Sequence, residues 1–315
     1  MRNYIMTFML IMGLAGGLWS APAQAQSCCA ASQTAGPVRL SMGQTAAAGI
    51  SADARAYTGR FVDTEYRSLE HPGVELRQTF YGAFRLGDSW QVGATIPAVQ
   101  NRRQTATDVE WGAGLGDLSL QARYELVTTG MSMRWPGVGF TAQTTLPTGR
   151  APAQSMERGT SLLMSDVTGA GLWAAGLGAQ VEWVFQRNFL VLEAAGFAAL
   201  PYTDAREMRV RPGMRSAGRL SFGRPVGAPF FWDETLYLAS SAQVAHTFAR
   251  TIDADVAAHS RERITTLSVQ AGGYLTEHFY LMLRGSWDIP LEYAGQNRQV
   301  GPGVGLVLRR VFYDS

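Results

Sequence analysis

The chain of 315 residues is 46% hydrophobic and only 17% charged, and its formal net charge is +2. So slight a positive balance excludes electrostatic nucleic-acid binding, which needs a basic patch, and two cysteines near the start exclude a body cross-linked by disulfides. Past residue 25 the apolar residues are dispersed, with no run near the ~18 that a spanning helix needs, so ordinary helical spans are excluded as well.

The first residues carry an export pattern. Arg2 gives a short positive start, Ile5 to Leu18 is an apolar run, and Ala23-Gln24-Ala25 has the small-x-small form of a cleavage site. Residues 1–25 are therefore expected to be a secretory signal peptide. Residues 26–43 are rich in Ser, Ala, Gly and Gln and have no period, so a flexible periplasmic segment is expected. It holds the vicinal pair Cys28-Cys29, which is open to three readings: a strained disulfide, capture of a soft metal by thiolates, or no role. No cofactor is implied, and His71, His259 and His278 lack metal-ligand spacing.

From residue 44 to the end one pattern returns. Successive side chains leave a pleated backbone on opposite faces, so alternation of apolar and polar residues predicts a strand. The first strand sets Ala46, Ala48, Ile50, Ala52, Ala54 and Ala56 against Ser51, Asp53, Arg55 and Tyr57. The second sets Val74, Leu76, Phe80, Phe84 and Leu86 against Glu75, Arg77, Thr79, Tyr81 and Arg85, and Gly87-Asp88-Ser89 turns it into a third running from Trp90 to about Val99. The fourth is the clearest: Leu118, Leu120, Ala122, Tyr124 and Leu126 oppose Asp117, Ser119, Gln121, Arg123 and Glu125.

The fifth strand runs from Val138 to Leu146, ahead of Pro147-Thr148-Gly149. After a long polar stretch come a sixth from Trp173 to Trp183, with Gln180 and Glu182 on its polar face, and a seventh from Leu190 to Leu200 with Glu193. The eighth, from Met208 to Phe222, lines up Arg209, Arg211, Arg215 and Arg219, although Pro212 removes a ladder hydrogen bond within it. Leu236 to Phe248, Leu267 to Leu275, Phe279 to Ile289 and Val300 to Phe312 complete the set, the last with a bare opposite face of Gly301, Gly303 and Gly305.

Connections after strands two, six and ten are tight, while those after one, three, five, nine and eleven are longer and polar. Trp90, Trp183, Phe185, Phe189, Phe279 and Tyr280 sit beside the short turns, as aromatic rings do at a membrane interface. Hydrocarbon cannot satisfy free amides, so strands that face lipid must close on themselves. The expected fold is thus all-β: a transmembrane antiparallel up-and-down β-barrel of about twelve strands over residues 44–315, monomeric, in a bacterial outer membrane.

Catalytic chemistry is mostly lacking. Gly112-Ala113-Gly114-Leu115-Gly116 precedes a strand instead of opening a helix, so it is expected to be a strand-entry bend and not a phosphate loop. A membrane-embedded lipid hydrolase would need Ser and His adjacent on the lipid-facing surface. His246 shares its parity with Ser240, but six residues of strand separate them by roughly 20 Å, which leaves only serines on neighbouring strands. The protein is expected not to be an enzyme. Arg209, Arg211, Arg215, Arg219, Arg123, Glu125, Glu182 and Glu193 are instead expected to face the lumen, either as a structural network of ion pairs or as a charged path that sets selectivity.

Gly114-Leu115-Gly116-Asp117-Leu118-Ser119-Leu120, followed by Arg123-Tyr124, then Leu146-Pro147-Thr148-Gly149 and Leu177-Gly178-Ala179-Gln180, resemble the outer-membrane barrel family named for the phenol meta-degradation pathway. The resemblance spans most of residues 44–313 and implies a transporter or porin of small, often aromatic or hydrophobic, compounds, with the lipid bilayer and a small solute as its partners. Here Asp314-Ser315 follow Phe312-Tyr313, where such barrels usually end on an aromatic residue. The alternative is a barrel that scaffolds metal through Cys28 and Cys29.

Overall fold

The computed structural model describes residues 39–313, apart from 42, 130–134, 153, 156–160, 186–187, 204–206, 233–234 and 254. The expected signal peptide and Cys28 and Cys29 lie outside the described residues. Twelve antiparallel strands close into one barrel. They are β1 (Gln44–Val62), β2 (Glu65–Leu86), β3 (Trp90–Gln104), β4 (Leu118–Val127), β5 (Gly137–Leu146), β6 (Ala174–Phe185), β7 (Asn188–Ala199), β8 (Arg215–Gly227), β9 (Thr235–Thr247), β10 (Glu262–Tyr274), β11 (Phe279–Asp288) and β12 (Pro302–Tyr313). Each pairs with its neighbours in sequence, and β1 closes the ring by pairing with both β2 and β12, as in Ala52 opposite Gln78 on one side and Leu306 on the other.

The two-residue period decides which face is which. On β4, Arg123 and Glu125 are buried while Leu120 and Leu126 are exposed, and on β6 Gln180 and Glu182 are buried while Leu177 is 73% exposed. Polar residues therefore point into the barrel and large apolar ones out. Leu283 at 58% and Val304 at 67% exposure belong to the same outer surface. An apolar belt around a closed sheet suits lipid, which also removes the need for any free sheet edge.

The structure departs from the sequence pattern in four places. β2 begins at Glu65, well before Val74, and forms a tall hairpin with β1 through a two-residue turn in which Asp63 has φ of 50°. A register break shifts the partner from Gly73, opposite Tyr57, to Ser68, opposite Gly59, so the intervening residues bulge and disturb the alternation. Secondly, the expected eighth strand is split. Arg209–Arg211 joins Tyr202–Thr203, Thr251–Ile252 and Asp255–Val256 in a small separate sheet, because Pro212 donates no hydrogen bond and a Cβ at Gly213 would stand 1.7 Å from the Phe248 carbonyl oxygen.

Thirdly, Gly112-Ala113-Gly114-Leu115 is no bend. It lies in a strand, Val109–Leu115, that carries the line of β4 upward alongside β3, with the break only at Gly116-Asp117. Fourthly, the end of the segment expected to be flexible is seated inside the barrel: Arg39, Leu40 and Ser41 are all buried. The start of β1 and the end of β12 lie side by side at one rim, Gln44 opposite Tyr313, and in outer-membrane barrels that rim is the periplasmic one.

Candidate functional site

The lumen divides into three levels. At the periplasmic rim, residues 39–41 cross the interior as a plug. Gln91 of β3 holds Leu40 at two points, accepting from its amide at 2.9 Å and donating to its carbonyl at 3.1 Å. Arg85 of β2 donates to the Ser41 and Gln44 carbonyls, both at 3.0 Å, and Arg309 of β12 donates to the Arg39 carbonyl at 2.7 Å. The Arg39 side chain reaches Glu182 of β6 at 2.5 Å and Thr129 at 3.1 Å. Glu182 is 1% exposed, so this is a desolvated pair. The Leu40 side chain is wholly buried in an apolar cluster with Tyr81, Phe189, Val191, Tyr237, Tyr274 and Tyr280.

Above the plug the wall is polar and wet. Arg55 pairs with Asp288 at 2.9 Å and Arg77 with Glu75 at 3.1 Å; Arg284 pairs with Asp53 and Arg219 with Glu193. The Arg55, Asp53 and Arg284 side chains point inward yet keep 30%, 27% and 38% of their exposure, so water-sized space runs beside them. Each of these arginines has a carboxylate partner, which leaves hydroxyls and amides as the wall's unspent hydrogen-bonding capacity.

At the outer mouth, the connection between β5 and β6 folds back against the Val109–Leu115 strand. Glu110 accepts from Ser161 Oγ at 2.7 Å and from the amides of Leu162 and Leu163 at 2.8 and 2.9 Å. Asp117 accepts from the amides of Gly149 and Ala170 at 2.9 and 2.7 Å, Asn101 donates to the Val167 carbonyl at 2.7 Å, and Asp166 takes Arg150 at 2.9 Å together with Ser155. Burial alone would raise the Asp166 carboxyl, but the hydrogen bonds from Ser155 and Arg150 outweigh it and hold it below the usual carboxylate range; the Ser161 hydroxyl and the loop amides do the same for Glu110. A small cleft of about 330 Å³ lies between these groups.

The expected lumen residues do not form one stripe. Arg123, Glu125 and Glu182 gather around the plug, with Arg123 donating to Gln180 at 2.8 Å and Glu125 paired to Arg85 at 3.3 Å. Glu193 and Arg219 pair on the wall between β7 and β8. Arg215 stands exposed at the outer start of β8, and Arg209 and Arg211 leave the lumen for the small outer sheet, where both are exposed. Arg39, Gln91 and Arg309, which fix the plug, were not singled out from sequence. Arg39 is the sole charge between residues 26 and 43, and that isolation was the available signal.

His246 lies directly across the β8–β9 ladder from Ser216, but no hydrogen bond joins them. Its ring instead meets Phe248 edge-on at 4.6 Å, and its other cross-strand neighbour is Arg263, a cation that could not orient an imidazole as a catalytic acid would. No cluster of metal-ligating side chains occurs among the described residues.

A closed antiparallel barrel with an apolar belt and a polar, plugged lumen defines a transmembrane β-barrel of the outer-membrane type. No family model matches the chain, and no curated protein does. Among solved structures, an outer membrane channel from Pseudomonas putida F1 superposes with a TM-score of 0.67 at 15% identity, covering 94% of this chain and all of that one, 100%. The NanC porin gives 0.45 at 9% identity over 82% of this chain and 98% of that one, and the CymD monoaromatic hydrocarbon channel gives 0.42 at 11% over 87% and 90%. At 15% identity the likeness to the Pseudomonas putida F1 channel is one of fold.

Proposed function

We propose that this chain is a monomeric outer-membrane channel for small solutes, closed at its periplasmic rim by residues 39–41. The observation that carries the proposal is the contrast along the lumen: a water-accessible polar wall leads to a plug held by side-chain hydrogen bonds and one buried ion pair, all of which can be exchanged for water. For the aromatic or hydrophobic solutes that the family resemblance implies, the larger apolar cluster lies beside Leu40, and a smaller one of Phe61, Ile264 and Val300 lies toward the outer end. Paired arginines make the wall close to neutral, so selectivity by net charge is expected to be weak.

Conductance across a planar bilayer, with swelling of solute-loaded vesicles, tests this. The full chain should conduct in small steps, and Arg39→Ala should open larger ones by freeing the plug. Leaving the buried Glu182 carboxylate without its cation, with only the Thr129 hydroxyl donating to it at 2.8 Å, costs about 3–5 kcal/mol. Arg39→Ala with Glu182→Gln should therefore regain stability to urea while keeping the larger conductance. Neither conductance nor swelling from any of the three proteins would overturn the channel assignment.

A further inference from the structure

Twelve tilted strands turn every row of cross-strand neighbours into a spiral along the lumen wall. One such row joins the mouth to the plug. It starts at Asn101, near the outer end of β3 and bonded to the folded-in loop through the Val167 carbonyl, and passes Glu75 of β2, Arg55 of β1 and Gly303 of β12. It ends at Val191 of β7 and Glu182 of β6, the residue that holds Arg39. Between these ends the row is hydroxyl at four consecutive strands: Ser286 of β11, Ser268 of β10, Ser241 of β9 and Ser221 of β8, each directly opposite the next.

Two observations mark these serines as more than filler. Ser221 is 1% exposed and its hydroxyl has no partner among the described residues, an uncommon state for a buried polar group. Ser241 and Ser268 bond only to one another, at 2.7 Å, and Ser286 makes only a long contact of 3.4 Å to the Gly303 carbonyl. The three half-buried hydroxyls are thus bonded only within the row or to one backbone carbonyl, and none is tied to a charged group. The charges in the same row and beside it are matched, Arg55 by Asp288 and Glu75 by Arg77. Arg103, farther out on β3, is held by Gln299 and the Tyr57 ring.

We propose that Ser241, Ser268 and Ser286, all half-buried, form a hydroxyl track for small neutral polyhydroxylated solutes, with the buried Ser221 at its lower end. Neighbouring strands lie about 4.8 Å apart, so adjacent hydroxyls are close enough for one short polyol to hold two of them while it is handed on. A net anion or cation gains little from a wall whose charges are already paired, and an apolar solute would strip water from the hydroxyls and return no hydrogen bonds. The track rests on the channel assignment, and its test separates the two.

The full chain is reconstituted into vesicles and swelling is followed with a pentitol, a sodium salt of a carboxylate of similar size, and a neutral diol ether with few hydroxyls, alongside potassium chloride conductance. The pentitol should enter fastest. Replacing Ser241, Ser268 and Ser286 together by Ala should slow the pentitol about five-fold, the size of losing one ordinary hydrogen bond, with salt conductance unchanged. The same three positions changed to Thr keep a hydroxyl on a strand-favouring side chain and should restore the rate. Equal slowing of pentitol and salt, or no slowing of the pentitol, overturns the track and leaves the channel standing. Faster entry of the carboxylate or the ether by the unaltered protein does the same. No permeation of anything overturns the channel itself.

Discussion

Gly305 shows how one missing side chain can hold the barrel seam together. It sits on the inner face of β12 between Asp53 of β1 and Arg284 of β11, and those two pair with each other over its bare backbone. A Cβ there would stand 2.2 Å from Asp53 Oδ1. Gly303 leaves the same gap one step away, where Arg55 reaches from β1 to Asp288 on β11 at 2.9 Å. The two ion pairs therefore bind the first strand to the eleventh across the twelfth. Gly305→Val is expected to push the Arg284 pair apart and to cost about 1–3 kcal/mol, as overpacking does. Gly285→Ala is the control, because its new carbon would touch only Val269 at an ordinary 3.6 Å. Urea unfolding in lipid vesicles should show a lowered midpoint for the first and little change for the second. The glycines were visible in sequence as a blank face, but what crosses that face depends on strands that are distant in the chain.

At the scale of elements, the mouth is shaped by a loop that lands on glycines. Gly112, Gly114 and Gly116 face inward, and a Cβ at Gly112 would meet the Ser165 backbone at 2.4 Å while one at Gly116 would meet Pro97 at 2.7 Å and the Thr168 carbonyl at 2.9 Å. Thr168 donates to the Leu115 carbonyl at 2.6 Å and Thr148 to that of Gly116 at 2.8 Å. The glycine motif and Pro147-Thr148-Gly149 were noticed separately in sequence, and folding makes them one joint. What periodicity could not reveal was the joint itself, since a loop's landing place leaves no alternation; the strand-entry bend expected there was the natural reading of glycines before a strand. Glu110 and Asp166, which fasten the loop, both have carboxyls held below the usual range. A group of this kind adds stability above its unfolded pKa and loses it only as pH falls through the lower folded value. The loop is thus expected to stay fastened from neutral pH down through the ordinary carboxylate range, about pH 4 to 4.5, and to loosen below it. Protease nicking between residues 150 and 170 should stay slow down to that range and quicken only under it. Nicking that already quickens above it would show that these two carboxylates do not fasten the loop.

For the molecule as a whole, the twelve strands were legible because a polar lumen and an apolar solvent impose opposite demands on successive residues, although β7 and β12 turn Phe189, Val191, Val307 and Val311 inward around the plug. The plug was not legible, because three residues lying across an interior have no period of their own and are held by side chains from β2, β3, β6 and β12 together. The division between inside and outside can be tested on adjacent residues of one strand. Leu120 faces out between Ala94 and Thr144, while Gln121 faces in between Gly93 and Gln143. Arginine on a lipid-facing wall costs about 2–4 kcal/mol near the bilayer centre and much less in a wet lumen. Leu120→Arg should therefore lower folding stability in vesicles by an amount in that range, and Gln121→Arg should not, although it places the same charge one residue along. In detergent micelles, which let water approach the apolar belt, the gap between the two variants should narrow. Equal costs in vesicles would mean that Leu120 does not face lipid, and the membrane-spanning assignment of the wall would fail with it.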